Sequence, residues 1–156
     1  MTEFLLRRAV PADSETLTAI AQAAKAHWRY PPDWLELWRD GLTVTPQFIA
    51  AHLTLCAELA GKIVGFAAVA ESESGWELEH MWVLPAYMGQ GIGRDLLGAI
   101  LGRLAARGAT SLRIASDPHA VGFYEQLGAQ VVGVVDSLPT GRRLPLLTLP
   151  VSSPFK

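Results

Sequence analysis

Apolar residues follow two different spacings along this chain, and each spacing predicts one kind of element. Where they recur every second position or fill a short run, they predict a strand, and where they recur every third or fourth position they predict an amphipathic helix. Strands are expected at 4–9, 53–59, 63–70, 76–83, 112–115, 130–135 and 144–149. Helices are expected from a cap at Asp13 or Ser14 to Ala26, in short stretches before Gly41 and after Pro46, from Ile92 to a cap at Gly108, and from His119 to a cap at Gly128.

The order of these elements predicts an α/β fold of the mixed α+β type. Consecutive strands joined by short turns, such as the pair around Ala60-Gly61, favour antiparallel pairing, whereas the strand-helix-strand unit from Glu77 to Ala115 indicates a parallel pair. We therefore expect a central mixed, mostly antiparallel sheet of about six to seven strands, flanked by helices on both faces. No repeat or long linker divides the sequence, so residues 1–156 are interpreted as a single domain.

Composition narrows the class of protein. The chain has 156 residues, of which 50% are hydrophobic and 18% charged, which suffices for one sizeable core. Its formal net charge of −2 gives no reason to expect a nucleic-acid partner, and apolar stretches such as 63–70 are too short to span a bilayer. We expect a cytoplasmic protein that does not bind membranes.

Cys56 is the one cysteine of the sequence and therefore allows no internal disulfide. It lies in an apolar run typical of a buried structural thiol.

A cluster of glycines lies where a predicted strand turns into a predicted helix. Gly89, Gly91 and Gly93 have no side chains, so backbone N–H groups can close on an anion at the positive end of the helix dipole. The spacing does not match the dinucleotide fingerprint G-x-G-x-x-G, because Arg94 and Leu96 stand where a third glycine is needed. A Walker loop is also excluded, because no lysine follows these glycines at the required spacing.

The turn belongs to a longer pattern. The run from Val83 to Gly93 has the form V-x-P-x-Y-x-G-x-G-x-G and precedes an amphipathic helix, and it resembles the acetyl-CoA-binding segment of the GCN5-related N-acetyltransferase (GNAT) superfamily. A second family pattern, Asn-x-x-Ala-x-x-x-Tyr-x-x-x-Gly, is matched in its spacing by Asp117, Ala120, Tyr124 and Gly128. Asp117 stands where the family usually has Asn. The resemblance implies a GNAT-like fold and acetyl-CoA as cosubstrate, with no metal.

The resemblance also implies which residues bind acetyl-CoA. Main-chain groups of Met81 and Val83 are expected to pair with the pantetheine arm as if it were a further strand. Asp117 is expected to contact the same arm, with its carboxylate accepting from an amide N–H. Met88 supplies no charge or side-chain amide where the family has Arg or Gln, and Gln90 or Arg94 are the candidates to compensate. The pyrophosphate is expected to bind the turn and the start of the helix, at Met88, Gly89, Gln90, Gly91, Ile92, Gly93 and Arg94.

Acetyl transfer to an amine needs a group that takes the amine's proton, and the strand 76–83 offers carboxylates. Strict alternation places Glu77, Glu79, Met81 and Val83 on one face and Trp76, Leu78, His80 and Trp82 on the other. The resemblance puts a proton-handling glutamate in this strand, and Glu79 is the first choice because it lies closest to the point where the sheet must open. Glu77 and His80 remain alternatives, and so does a strand face that is only salt-bridged, for example to Arg113.

Tyr124 matches the family's usual general acid. A phenol with a pKa near ~10 is protonated at neutral pH and can return a proton to the departing CoA thiolate. The alternative is a core tyrosine on an amphipathic helix. Cys56 has no evident base partner, which disfavours a covalent acyl-enzyme.

Two segments outside the motifs are candidates for acceptor recognition. The segment 25–38 brings Trp28 and Tyr30 together with further tryptophans in a proline-broken loop, and the connection 136–147 carries Arg142 and Arg143. These residues predict an acceptor with an apolar or aromatic body and an acidic or polar end. A lid that only covers the core, and solvated surface arginines, are the alternatives.

The resemblance thus implies an acetyl-CoA-dependent N-acetyltransferase that acts on a small-molecule or amino-acid-like amine, and the lack of a base partner for Cys56 favours direct attack. The alternatives are an acyl-CoA-binding sensor without turnover, and an enzyme that transfers acyl groups to oxygen or transfers longer acyl chains. The expected partners are small molecules rather than nucleic acid or membranes, and a homodimer is left open.

Overall fold

A computed structural model describes residues 3–151, so the ends of the predicted single domain, 1–2 and 152–156, lie outside the described residues. The strands are β1 (Leu5–Arg8), β2 (Leu53–Leu59), β3 (Lys62–Ser72), β4 (Gly75–Val83), β5 (Ser111–Ala115), β6 (Gln130–Asp136) and β7 (Arg143–Pro150). The helices are α1 (Ser14–Ala26), α2 (Pro32–Leu37), α3 (Arg39–Leu42), α4 (Pro46–Ala51), α5 (Ile92–Ala106) and α6 (Val121–Gln126). Single 3-10 turns occupy Pro11–Asp13, Pro85–Tyr87 and Pro118–Ala120.

The strands form one seven-stranded sheet in the order β1-β2-β3-β4-β5-β7-β6. The β4–β5 pair is parallel and the other pairs are antiparallel. The parallel pair is the one that the strand-helix-strand unit requires, with α5 as its crossover. The prediction of a mixed, mostly antiparallel sheet flanked by helices is therefore confirmed.

Helices cover the two faces of the sheet through separate hydrophobic clusters. One cluster packs the apolar stripe of α5, including Leu97 and Leu104, onto β2, β3 and β5. The other packs Leu17 and Ile20 of α1 against Cys56 and Phe66. Burial raises the pKa of Cys56 to about 12, so its thiol stays protonated and inert at neutral pH. In the described part of the chain no helix is long and apolar enough to cross a membrane.

A β-bulge interrupts β4 at Glu79. The register runs from Val69 opposite Leu78 to Ala68 opposite His80, so Glu79 is an extra residue without a partner on β3. The extra residue shifts the alternation of side chains, and Leu78 therefore packs against the same cluster as Met81. The strict alternation expected for 76–83 is thus wrong: Trp76 and Leu78 share a cluster with Met81 and Val83.

The sheet opens between β4 and β5 just before the bulge. β4 and β5 pair only at Trp76 with Leu112 and at Glu77 with Arg113. Beyond Glu77, no strand among the described residues pairs with β4 on that side. The backbone groups of β4 on this side, next to the open slot, are therefore available to a ligand.

Candidate active site

A cavity of about 480 Å³ lies in the slot between the diverging strands β4 and β5. Its floor and walls come from β4, from the turn that leads into α5, from the end of β5, and from α6. The lining residues are Ala24, Trp28, Leu78, Glu79, His80, Met81, Trp82, Val83, Tyr87, Met88, Gly89, Gly91, Ile92, Gly93, Arg94, Ile114, Ala115, Ser116, Asp117, Ala120, Phe123 and Tyr124. Most of the residues expected to bind acetyl-CoA thus line the same cavity. Gln90 is exposed and is not among the lining residues.

The glycine turn begins α5 with backbone conformations that side chains disfavour. Gly89 and Gly91 have φ of +79° and +86°, in the left-handed region, and Gly91 is the residue before the first helical position. No side chain caps this helix end, so N–H groups of the first turn, such as that of Ile92, have no intrahelical partner, and Ile92 lines the cavity. Gly93 has a different requirement, because a Cβ there would lie 3.2 Å from Cζ of Phe123 on α6. The turn therefore offers an anion site that glycines keep open.

Glu79 lies at the bulge and lines the cavity. Burial, and then the negative charge of Glu77, raises the pKa of Glu79 above its ordinary value. Glu77 does not line the cavity and lies 3.7 Å from Arg113, so the salt-bridged alternative describes Glu77 rather than Glu79. Of the two carboxylates, Glu79 is the one placed to exchange protons with a bound molecule.

His80 lines the cavity but is poorly suited to take a proton. Burial lowers the pKa of His80 to about 4, so the ring is neutral at pH 7. Its Nδ1 accepts a hydrogen bond from Nε1 of Trp82 at 3.0 Å. In a neutral ring whose Nδ1 accepts, Nε2 carries the proton, and no free lone pair remains for a substrate.

Tyr124 lies on α6 and lines the cavity, although the residue is only 5% exposed. Burial, followed by the nearby negative charge of Asp117, raises its pKa, so the phenol stays protonated through the neutral range. Its hydroxyl makes no side-chain hydrogen bond to the described part of the chain and is not fully enclosed, whereas the residue itself belongs to the buried cluster around α5. The side chain therefore combines a core position with a hydroxyl available to a ligand.

Asp117, at the end of β5, is the centre of a polar network. Its Oδ2 accepts from Nζ of Lys25 at 2.6 Å and from the hydroxyl of Tyr30 at 2.8 Å. Its Oδ1 accepts from the backbone N–H of His119 at 2.9 Å and contacts Nδ1 of the same ring at 2.9 Å. Burial opposes ionisation of the carboxyl, but the hydrogen bonds led by Lys25 lower the pKa of Asp117 to about 2. Asp117 is therefore a carboxylate at neutral pH.

Aromatic rings enclose the cations of this network. Nζ of Lys25 lies 4.4 Å from the ring centre of Trp38, and the guanidinium of Arg142 lies 4.7 Å from the same ring. Arg142 also donates to the hydroxyl of Tyr30 at 3.2 Å. Trp28 stacks on His119 with centroids 4.5 Å apart. The network joins α1, the segment 27–38, the start of the 3-10 turn before α6, and the loop before β7.

Of the residues predicted to contact the acceptor, Trp28 lines the cavity and the others do not. Tyr30 and Arg142 are turned into the network around Asp117. Arg143 is exposed and lies 3.6 Å from Asp136. Sequence reasoning missed Lys25 and His119. Lys25 could have been found, since it follows Leu17 and Ala21 at helical spacing and therefore falls on the buried stripe of α1.

Comparison with known proteins agrees with the geometry. Residues 16–129 match the family model described as the acetyltransferase (GNAT) family. No curated protein matches the chain. Within the described residues, no group of His, Cys, Asp and Glu side chains is arranged to hold a metal ion.

Solved structures with a similar fold include a GCN5-related N-acetyltransferase from Rhodopseudomonas palustris, with a TM-score of 0.80, 24% identity, and coverage of 96% of this chain and 98% of that one. The PaiA N-acetyltransferase of Thermoplasma acidophilum in complex with coenzyme A has a TM-score of 0.78, 19% identity, and coverage of 95% and 99%. An aminoglycoside 6'-N-acetyltransferase complexed with coenzyme A has a TM-score of 0.70, 16% identity, and coverage of 97% and 99%. At these identities the likeness establishes a shared fold.

Proposed function

The chain belongs to the GNAT acetyltransferase family, and we propose that it is an N-acetyltransferase that moves the acetyl group of acetyl-CoA to the amine of a small molecule. The observation that carries this proposal is the cavity between β4 and β5, because the glycine turn, Glu79 and Tyr124 all line it. We also propose that the whole chain is one acetyltransferase domain.

Acetyl-CoA is the acetyl donor, and the slot suits its shape and charge. The side of β4 that has no strand partner beyond Glu77 can pair with the amide groups of pantetheine through Met81 and Val83. The N–H groups at the start of α5 can bind the pyrophosphate, and Arg94, which lines the same end, adds a positive charge. Phe123 of α6 occupies the space that a side chain at position 93 would fill, so α6 packs directly against the glycine turn.

The proposed reaction is direct attack. Glu79 takes a proton from the acceptor's ammonium group, directly or through water, and the freed nitrogen attacks the thioester carbonyl carbon. The backbone N–H near Val83 polarises that carbonyl while negative charge develops on its oxygen. The carbon–sulfur bond then breaks, and Tyr124 donates its proton to sulfur. The nitrogen loses its second proton, which returns through water to the phenolate of Tyr124, and Glu79 releases the first proton to solvent. The products are the acetylated amine and CoA with a free thiol.

For the acceptor we propose an amine with an apolar or aromatic body. Trp28 lines the cavity and presents a ring that is 39% exposed, while Leu78 and Trp82 add apolar surface. The sequence predicted an acidic or polar end because of Arg142 and Arg143. Neither of these side chains lines the cavity, so the proposed acceptor has no acidic or polar end for them to bind.

A screen of acceptors tests the proposal. The purified protein is incubated with acetyl-CoA and with tryptamine, 2-phenylethylamine, free amino acids, short peptides or spermidine, and release of the CoA thiol is measured. We expect turnover with the aromatic amines. CoA binding by calorimetry without thiol release from any amine would indicate an acyl-CoA sensor instead. Release with alcohols, or only with longer acyl-CoA donors, would indicate one of the other acyltransferase alternatives.

A further inference from the structure

We infer that Asp117 holds in place the part of the cavity wall that Trp28 forms, which we call the acceptor-side wall, and that Lys25 is the buried counter-ion of Asp117. In this arrangement Asp117 does not hydrogen-bond the pantetheine arm. The inference rests on the proposed function, because it assumes that the cavity binds acetyl-CoA and an acceptor. It assigns to Asp117 and Lys25 the role of positioning residues, and it replaces the expectation that Asp117 contacts the cosubstrate.

The first argument is that the carboxylate of Asp117 has no acceptor site to spare. A carboxylate offers about four lone-pair positions. Lys25 and Tyr30 occupy those on Oδ2, and the backbone and ring N–H groups of His119 occupy those on Oδ1. The contact to Nδ1 of His119 requires the ring proton on that nitrogen, since two lone pairs at 2.9 Å would repel. A pantetheine amide would have to displace one of these donors.

The second argument is the position of Lys25. The residue is 8% exposed, its Nζ lies 2.6 Å from Oδ2 of Asp117, and rings of Trp38 and Tyr30 enclose it. A buried ammonium needs a counter-ion, and removing one partner of such a pair leaves an uncompensated charge. An asparagine at 117 would be neutral and could place its NH₂ group against the ammonium of Lys25. Asp117 is therefore not equivalent to Asn in this chain.

The third argument is that the network joins Trp28, the residue of the proposed acceptor side that lines the cavity, to the surrounding segments. Tyr30 connects Asp117 to the segment 27–38 and accepts from Arg142 of the loop before β7. Trp38 donates to the carbonyl of Leu138 in that loop at 2.8 Å. Trp28, which lines the cavity, stacks on His119, whose position Asp117 fixes. Loss of the carboxylate should therefore displace the acceptor surface while leaving the turn that begins α5 unchanged.

The test compares D117N with the matched control D136N, because Asp136 is an exposed aspartate outside the network. For D117N we expect Tm to fall by about 5–15 °C, and the KM for 2-phenylethylamine to rise at least ~10-fold. We expect hydrogen exchange to become faster in 27–38, while the Kd for CoA, measured by calorimetry, changes less than ~3-fold. D136N should match the wild type in all four measurements.

Two further variants keep the inference falsifiable if D117N folds poorly. Y30F removes one donor to Asp117 and keeps the ring, so it should raise the same KM by a few-fold with unchanged CoA affinity. The double variant K25M/D117N removes both charges and should recover most of the Tm lost by D117N. No recovery in the double variant would overturn the role of Lys25 as counter-ion.

A fall of ~10-fold or more in CoA affinity for D117N, with unchanged exchange in 27–38, would overturn the inference and return Asp117 to the cosubstrate site. Exchange and CoA affinity do not depend on turnover. If no amine is acetylated, the proposed function fails, whereas these two measurements still decide the role of Asp117.

Discussion

Replacing Glu79 by Gln tests the base directly, because the amide keeps the shape of the side chain and loses its ability to take a proton. Glu79 lies at the bulge of β4 and lines the cavity, and burial raises its pKa above the ordinary value. A positioned general base contributes about 10²–10⁴-fold to rate. Because free amine can still react slowly without the base, we expect the lower end of that range, a loss of about 100-fold in kcat, or ~2.7 kcal/mol of transition-state stabilisation.

The pH profile of kcat distinguishes loss of the base from loss of structure. A base must be deprotonated to act, so wild-type kcat should rise with pH as Glu79 ionises, and its raised pKa places that rise above the range of an ordinary glutamate. In E79Q this rise should disappear, and kcat should instead increase toward alkaline pH as the amine loses its proton unaided. The assay is thiol release from acetyl-CoA at saturating acceptor between pH 5 and about 10.

Glu77 provides the matched control. Its negative charge contributes to the raised pKa of Glu79, and its own side chain pairs with Arg113 outside the cavity. E77Q should therefore keep the full plateau of kcat and move the acid side of the profile to lower pH. An E79Q protein that binds CoA normally and retains wild-type kcat and profile would refute Glu79 as the base.

Three further predictions address the acid, the turn and the stability of the site. Tyr124→Phe should lower kcat by ~100-fold with unchanged CoA affinity, and an unchanged kcat would leave Tyr124 as a core residue only. Gly91→Val should weaken CoA binding at least ~30-fold, because a branched side chain disfavours the φ of +86° at this position. The control Gly102→Val, at a helical position with open space, should bind CoA normally. Equal CoA affinities of the two variants in calorimetry would contradict the phosphate site. Folding lowers the pKa of His80 from 6.5 to about 4, so between these two pH values the unfolded chain binds more protons than the folded chain. The free energy of unfolding should therefore fall by up to about 3 kcal/mol as the pH drops from 6.5 to 4. Urea unfolding checks this, and an equal slope in His80→Gln would assign the loss to other groups.

The parts of the fold that the sequence predicted are those set by local pattern. The stripe of α5 and the apolar runs of β2 and β3 depend on residues close in sequence, and their predicted bounds agree with the structure to within a few residues. The glycine turn was predictable for the same reason at Gly91, whose φ of +86° is a local backbone condition, whereas the need for glycine at 93 comes from the ring of Phe123 on the later helix α6. The position of the glycine turn beside the cavity follows from the parallel pairing of β4 and β5.

The parts that escaped prediction depend on contacts between distant segments. The bulge at Glu79 is a register shift against β3, and strict alternation within β4 gives no sign of it. Arg142 was predicted to meet the acceptor, yet it packs on Trp38 and donates to Tyr30, more than a hundred positions earlier in the chain. A charged residue in a loop has no pattern that distinguishes a ligand contact from an internal network, so only the assembled fold decides.

In the proposed reaction one cavity serves two substrates, and its two sides are built from different kinds of groups. On the side of β4 and α5, the features suited to acetyl-CoA are mainly backbone groups: the open edge of β4 and the N–H groups of the glycine turn. On the proposed acceptor side, Trp28 is the residue of the segment 27–38 that lines the cavity, and the carboxylate of Asp117 with two cations nearby lies in the network beside it. Side chains of that segment can therefore change while the cosubstrate site stays intact, provided that Lys25 and Asp117 keep their charges matched. The acceptor of this chain is accordingly to be sought in the shape presented by Trp28, rather than in the motifs that identify its family.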